Sequence, residues 1–205
     1  MRRFLLNAFV PAAIAALGAT PSSARAQEST TRGFVVGLHA TGASLKVESQ
    51  DRNTAGGGGL FIGYGVNRHF TIFMEADGTE FDNQSTGDIE GTWVMGHFDL
   101  GVRFNFANSL RSVVPFLQGS FGARAVGVQD PVFDGASQNE VSITGSSFTV
   151  GGGLGFYFTE KVALDVALLF TGGKFDTIHV NNVSITGSGF DASSTRFNLG
   201  VTWWP

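Results

Sequence analysis

Cysteine is absent from the chain, so no disulfide framework holds it together. Charge is scarce as well. Asp, Glu, Lys and Arg make up 15% of residues, and acids outnumber bases 17 to 13. No basic stripe of the kind that grips a phosphate backbone is present, which argues against nucleic acid as a partner. Beyond the N-terminal segment no apolar run reaches the roughly 20 residues of a membrane-crossing helix. The calcium-hand spacing D-x-D-x-D-G is missing. Gly56-Gly57-Gly58-Gly59 and Gly151-Gly152-Gly153 are followed by no helix that could cap an anion, so neither is a phosphate loop.

What is present starts with an export signal over residues 1–26. Arg2 and Arg3 supply the positive start, an apolar stretch follows, and Ala24-Arg25-Ala26 offers a small-x-small cleavage site at Ala24 and Ala26. Pro11 and the short length argue against a permanent anchor. Removal would take three basic side chains and no acid, leaving a more acidic chain over 27–205, enough for one domain.

Gly and Phe dominate the rest, at 29 and 20 residues. The reason lies in alternation. Val94, Gly96, Phe98, Leu100, Val102, Phe104 and Phe106 interleave with His97, Asp99, Arg103 and Asn105. A period of two over that length predicts a strand with one oily and one polar face. Eight such strands are expected, at 33–46, 59–66, 69–78, 92–106, 114–125, 148–158, 162–171 and 194–204. Most are about 9–11 residues, the span of a tilted transmembrane strand. Short connections at 67–68, 107–113 and 159–161 alternate with longer ones at 47–58, 79–91, 126–147 and 172–193. Short turns on one rim and long loops on the other is the membrane-barrel pattern. An open edge in lipid would leave backbone groups unpaired at several kcal/mol each, so the sheet must close.

The fold expected is therefore all-β: a closed, eight-stranded, antiparallel, up-and-down transmembrane barrel. The strand phases send Glu75, Asp77, His97, Asp99, Arg103, Gln118, Arg124, Asp165, Arg196 and Asn198 into the lumen. Isolated buried charges are heavily penalised, so these groups should pair. The first reading is a polar plug; a narrow pore is the alternative, slightly favoured by the inward Gly63, Gly65, Gly151, Gly153 and Gly155. The acids Glu75, Asp77, Glu80, Asp82, Asp88 and Glu90 read as a largely solvated acidic loop rather than a metal site. A further feature is a repeat: Val141-Ser142-Ile143-Thr144-Gly145-Ser146-Ser147-Phe148 returns as Val183-Ser184-Ile185-Thr186-Gly187-Ser188-Gly189-Phe190. It reads as β-rich hairpins above the membrane, or as a surface that grips a partner by strand addition.

The cadence Gly63-Tyr64-Gly65-Val66-Asn67 into Phe70-Thr71-Ile72, together with the C-terminus, resembles the small outer-membrane β-barrel family of Gram-negative bacteria. Its members include the transmembrane domain of outer membrane protein A and porin-like or opacity-type barrels. The resemblance covers nearly all of 27–205. It implies a C-terminal assembly signal, carried by Asn198, Gly200 and Trp203, with Pro205 where the family has an aromatic residue. It also implies an outer-membrane location with both termini periplasmic, contact with lipid and lipopolysaccharide, insertion by the barrel-assembly machinery, and no cofactor. No peptidoglycan-binding domain is expected after the last strand.

The function expected is non-enzymatic, structural or surface-interacting, with limited passage of small solutes or ions left open. A lipid A-modifying enzyme on the same fold is one alternative. It would need His with Ser and an acid, yet none of His39, His69, His97 and His179 begins a His-x-Ser. A secreted lipocalin-like binder of an apolar ligand is the other. Its oily rows would point inward, and alternation alone names two faces without saying which is outside.

Overall fold

The computed structural model describes residues 31–47, 53–81, 90–106, 112–133, 136–137, 141–180 and 183–205. The expected signal peptide, with Ala24 and Ala26, lies outside the described residues. These residues contain no helix. They form β1 (Gly33–Val47), β2 (Asn53–Gly65), β3 (Phe70–Phe81), β4 (Glu90–Asn105), β5 (Val113–Phe133), β6 (Ala136–Ser137), β7 (Val141–Tyr157), β8 (Val162–Val180) and β9 (Val183–Trp203). Each long strand pairs antiparallel with the next, and β1 pairs with β9 from Val36↔Trp203 to Val47↔Ala192. The eight long strands thus close into a barrel; β6 touches only the tip of β5.

Two tight connections gather at one rim and share a device. In the β2–β3 turn, Asn67 Oδ1 accepts hydrogen bonds from the backbone N–H groups of His69 (2.8 Å) and Phe70 (2.9 Å). In the β7–β8 turn, Thr159 Oγ1 accepts from those of Lys161 (3.2 Å) and Val162 (3.0 Å). A short polar side chain satisfies backbone donors that the reversal would otherwise strand.

On the other side the strands outrun the membrane-length bounds, and the repeat lies in paired sheet as its hairpin reading expects. β5, β8 and β9 run to 21, 19 and 21 residues, so much of the expected loops 126–147 and 172–193 is paired sheet. The membrane-length criterion ends a strand where lipid ends. Main-chain pairing continues wherever β-branched Val, Ile and Thr keep alternating.

The faces are unambiguous. Phe34, Leu38, Leu60, Ile62, Tyr64, Phe70, Ile72, Phe98, Leu100, Leu117, Phe121, Phe170, Phe197 and Val201 all lie on the exposed outer surface, with Phe121 at 70%. Arg124, Arg196 and Asp99 are at most 1% exposed, inside. This polarity removes the lipocalin-like alternative. Near the short-turn rim an aromatic group forms part of a girdle, with ring centroids 5.1 Å apart for Phe70–Phe104 and 4.9 Å for Phe104–Phe106. Trp204 does not join it. Trp203 is 51% exposed, whereas Trp204 is 4% exposed and packs inside. Its backbone N–H still donates to the Lys161 carbonyl (2.7 Å). The strand alternation therefore continues, and neighbouring residues cannot both face lipid.

Candidate functional site

The lumen is layered. At the short-turn end Val35, Phe61, Phe73, Val114, Tyr157, Ala163 and Trp204 form an apolar cluster. At the far end Ala43, Leu45, Met95, Val126, Phe175 and Ala192 form another, with Ala55, Trp93 and Ile143 against it. The ionisable side chains lie between. A purely polar plug was expected; the interior instead has apolar caps on both sides of a charged middle. The inward positions Val35, Phe61, Phe73 and Met95 follow the same parity as the charges.

Arg103 opens the charged middle. Its Nη1 donates to Asp165 Oδ2 (2.9 Å) and its Nε to Gln118 Oε1 (3.0 Å). The guanidinium carbon lies 4.3 Å from the Phe61 ring centroid and 4.0 Å from that of Phe116. A planar cation between two ring faces has its charge stabilised by the ring quadrupoles and by an anion.

Arg196, fully buried, organises the next layer. It forms a short ion pair with Asp77 and donates from Nη2 to Asp99 Oδ2 (2.9 Å). Thr149 and Thr171, at 3.4 and 3.5 Å, complete its surroundings. Glu75 Oε1 accepts from Asn198 Nδ2 (3.1 Å), and Thr41 Oγ1, with one proton to give, lies 3.1 Å from Asn198 Oδ1 and 3.2 Å from Asp77 Oδ1. Arg124 stands apart. It donates to the Ala192 carbonyl (2.8 Å) and lies 4.5 Å from the Phe175 ring centroid. His97 is 4% exposed, and neither of its ring nitrogens has a hydrogen-bond partner among the described residues.

Glycine makes these crossings possible. One cross-strand row runs His39↔Gly59↔Asp77↔His97↔Arg124 through β1 to β5. A Cβ on Gly59 would strike His39 Nε2 and Asp77 Oδ1, so the bare backbone lets the imidazole reach over β2 to the carboxylate. Gly122 gives Asp99 the same room. The inward glycines expected to leave open volume leave little. Phe73 and Thr71 fill the space at Gly63, Leu169 that at Gly151, the Phe116 ring that at Gly153, Asp165 that at Gly155, and the Thr31–Arg32 backbone that at Gly65.

His39 is the lumen residue that sequence reasoning missed. The parity of β1, with Phe34, Val36, Leu38 and Ala40 outward, contains the signal. The residues expected as an assembly signal divide between the two faces: Asn198 binds Glu75, Gly200 passes close under His39 with no room for a Cβ, and Trp203 faces out.

At the far rim the repeat has a defined geometry. Val141-Ser142-Ile143-Thr144 pairs with Val180, His179, Ile178 and Thr177 from one side. Val183-Ser184-Ile185-Thr186 pairs with the same four residues from the other. The two copies flank one central strand in mirrored register. Ile143 and Ile178 are half-buried and Ile185 is 61% exposed.

Comparison with known proteins agrees with this architecture. No curated protein sequence matches the chain. Among solved structures, Neisserial surface protein A aligns with a TM-score of 0.59 at 17% identity, covering 83% of this chain and 96% of its own. The attachment invasion locus protein Ail of Yersinia pestis gives 0.57 at 15%, covering 84% and 99%. The outer membrane protein OprG of Pseudomonas aeruginosa gives 0.51 at 12%, covering 85% and 97%. At these identities the likeness is one of fold. The model of the outer membrane protein β-barrel domain matches residues 12–203, and with the closed barrel and its lipid-facing surface this places the chain in that family and in the outer membrane of a Gram-negative bacterium.

Proposed function

We propose that this barrel works by contact at its far rim, as a non-enzymatic surface-interaction protein held by a filled transmembrane body. The observation that carries the reading is the raised sheet. β1 ends at Val47, opposite Ala192, yet β9 begins at Val183 and stays paired to β8. From the Gly173↔Ala192 pair to Val180↔Val183, β8 advances seven residues; at about 3.3 Å per residue along a tilted strand, the β8–β9 wall stands roughly 15–20 Å above the end of β1. Paired backbone of that height in water has no role in spanning lipid.

In this reading the short-turn rim and both ends of the barrel are periplasmic and the raised wall is extracellular, ringed by lipopolysaccharide. The signal peptide is removed after Ala26, and the insertion machinery reads the last strand through Asn198, Gly200 and Trp203. The wall is built of Ser, Thr and Ile, which suits a polypeptide partner. Ail has been solved with the heparin analogue sucrose octasulfate. A polyanion is a poor match here, because the exposed Lys46 and Lys174 near this rim are offset by Glu80, Asp176 and Asp191. Passage of solutes is the second reading, and the apolar caps weigh against it.

The test replaces residues 178–185 by Asn-Gly, a two-residue hairpin turn between the paired Thr177 and Thr186. Cells displaying this version should lose adherence to protein-coated surfaces and to one another, while the barrel still migrates as a folded species on unheated gels. Unchanged adherence would end the proposal.

A further inference from the structure

We propose that His39, Glu75 and Asp77 form a binding site for one divalent transition-metal ion of the zinc class inside the barrel. Nothing in the surface-interaction reading requires it, and the two stand or fall separately.

The donor atoms converge from two strands. His39 Nε2 lies 2.5 Å from Asp77 Oδ1 and 3.9 Å from Glu75 Oε1, and all three atoms fall within 4.8 Å of one another. Nitrogen and oxygen ligands of a tetrahedral zinc ion, at ~2.1 Å from the metal, stand ~3.4 Å apart. A triangle of this size accepts an ion after the imidazole and the Asp77 carboxylate separate by less than about 1 Å.

Four observations support a ligand here beyond the cluster itself. First, Gly59 lies beneath the pair, and a Cβ there would occupy the space at His39 Nε2 and Asp77 Oδ1. Second, both carboxylates are oriented by neighbours, and Asp77 is held through Oδ2, the oxygen turned away from His39, by Arg196. Asn198 donates to Glu75, and Thr41 lies beside Asp77 Oδ1. Third, a cavity of about 30 Å³ adjoins His39 and Glu75, bordered also by Arg103, Gln118, Asp165 and Asn198. That is room for a water in an open coordination position. Fourth, the deeply buried His97 sits directly across from Asp77 with both ring nitrogens unpartnered.

Charge points the same way. The carboxylates of Glu75, Asp77, Asp99 and Asp165 face the guanidinium groups of Arg103, Arg124 and Arg196. Arg103 neutralises Asp165, and Arg124 is engaged with a carbonyl and a ring. Four carboxylates against three guanidinium groups leave one negative charge among these described residues, which His39 against Asp77, or a bound cation in its place, offsets. One imidazole with two carboxylates suits zinc, nickel or iron(II) rather than calcium, which takes six to eight oxygens. Apolar caps on both sides imply that the ion enters as the barrel closes and leaves slowly.

The experiment uses the full chain, without an affinity tag, expressed in a Gram-negative host in zinc-supplemented medium. Protein extracted from the outer membrane in detergent is washed with EDTA, and its zinc is counted by mass spectrometry against protein. About one zinc per wild-type chain is expected. His39→Ala and Glu75→Gln should each fall at least tenfold, and His69→Ala, at the short-turn rim, should keep the wild-type value. Glu75→Gln retains a carbonyl acceptor for Asn198, so it decides the matter if His39→Ala does not fold. Less than a tenth of an ion in folded wild type, or equal zinc in wild type and Glu75→Gln, overturns the proposal.

Discussion

Replacing Arg196 by Met tests whether the barrel interior is closed to water. The guanidinium is fully buried and is the partner of both Asp77 and Asp99. Asp77 would keep donors from His39 and Thr41. Asp99 would keep nothing, because Oδ2 binds Arg196 and Oδ1 already has no partner among the described residues. Hydrogen bonds to charged groups contribute about 1.5–3 kcal/mol each, and breaking a buried pair from one side costs about 3–5 kcal/mol. A hydrated lumen would behave differently, since exposed ion pairs are worth about 0–1 kcal/mol. The assay is urea unfolding of the barrel in lipid vesicles, followed by the fraction that runs as the folded band on an unheated gel. A loss of about 3–5 kcal/mol is expected. Adding Asp99→Asn to Arg196→Met should restore part of it by removing the orphaned charge. A loss under about 1 kcal/mol with the fold intact would refute the closed interior and revive the pore.

Other outcomes follow from the same geometry. Gly59→Ala should destabilise the barrel by about 1–3 kcal/mol through overpacking, whereas Gly78→Ala, with open space at its Cβ position, should be near neutral in the same unfolding assay. Trp204→Ala should cost about 3–5 kcal/mol as a lost core aromatic. Trp203→Ala, on the exposed face, should cost clearly less, and equal losses would mean that the last strand is wrongly phased. Purified barrel in planar bilayers should show no steady single-channel openings; reproducible steps of fixed conductance would contradict the sealed caps.

The architecture was legible because two requirements coincide in lipid. Every backbone group must find a strand partner, and every outward side chain must be apolar. The run from Val94 to Phe106 displays both, and so does Phe197-Asn198-Leu199-Gly200-Val201. The far rim was less legible because outside the bilayer only the first requirement operates. Val183 to Thr186 alternates over too few residues to mark a membrane-length strand, although its near-copy at Val141 hinted that both segments had one geometry to satisfy. The inward position of Trp204 follows a related rule. Side-chain type places Trp at an interface, but parity is the stronger constraint, and it turns Trp204 inward once Trp203 faces out.

The charged interior was half legible. Alternation sorts Asp77, Asp99 and Arg196 onto one face, yet their pairing depends on which strands face across the lumen and on where side chains are missing. A row such as His39, Gly59, Asp77 contains its own instruction. The glycine between His39 and Asp77 removes the side chain that would separate them, so the two polar groups meet across three strands. Read singly, each inward glycine looks like empty space. Read along the cross-strand row, it shows which neighbour leans over it, and Gly59, Gly122 and Gly153 are occupied by a histidine, an aspartate and a phenylalanine ring respectively. Glycine enrichment in this lumen therefore marks tight crossing of side chains rather than an open channel, and a glycine pattern without large neighbours in register would be the signature of a pore.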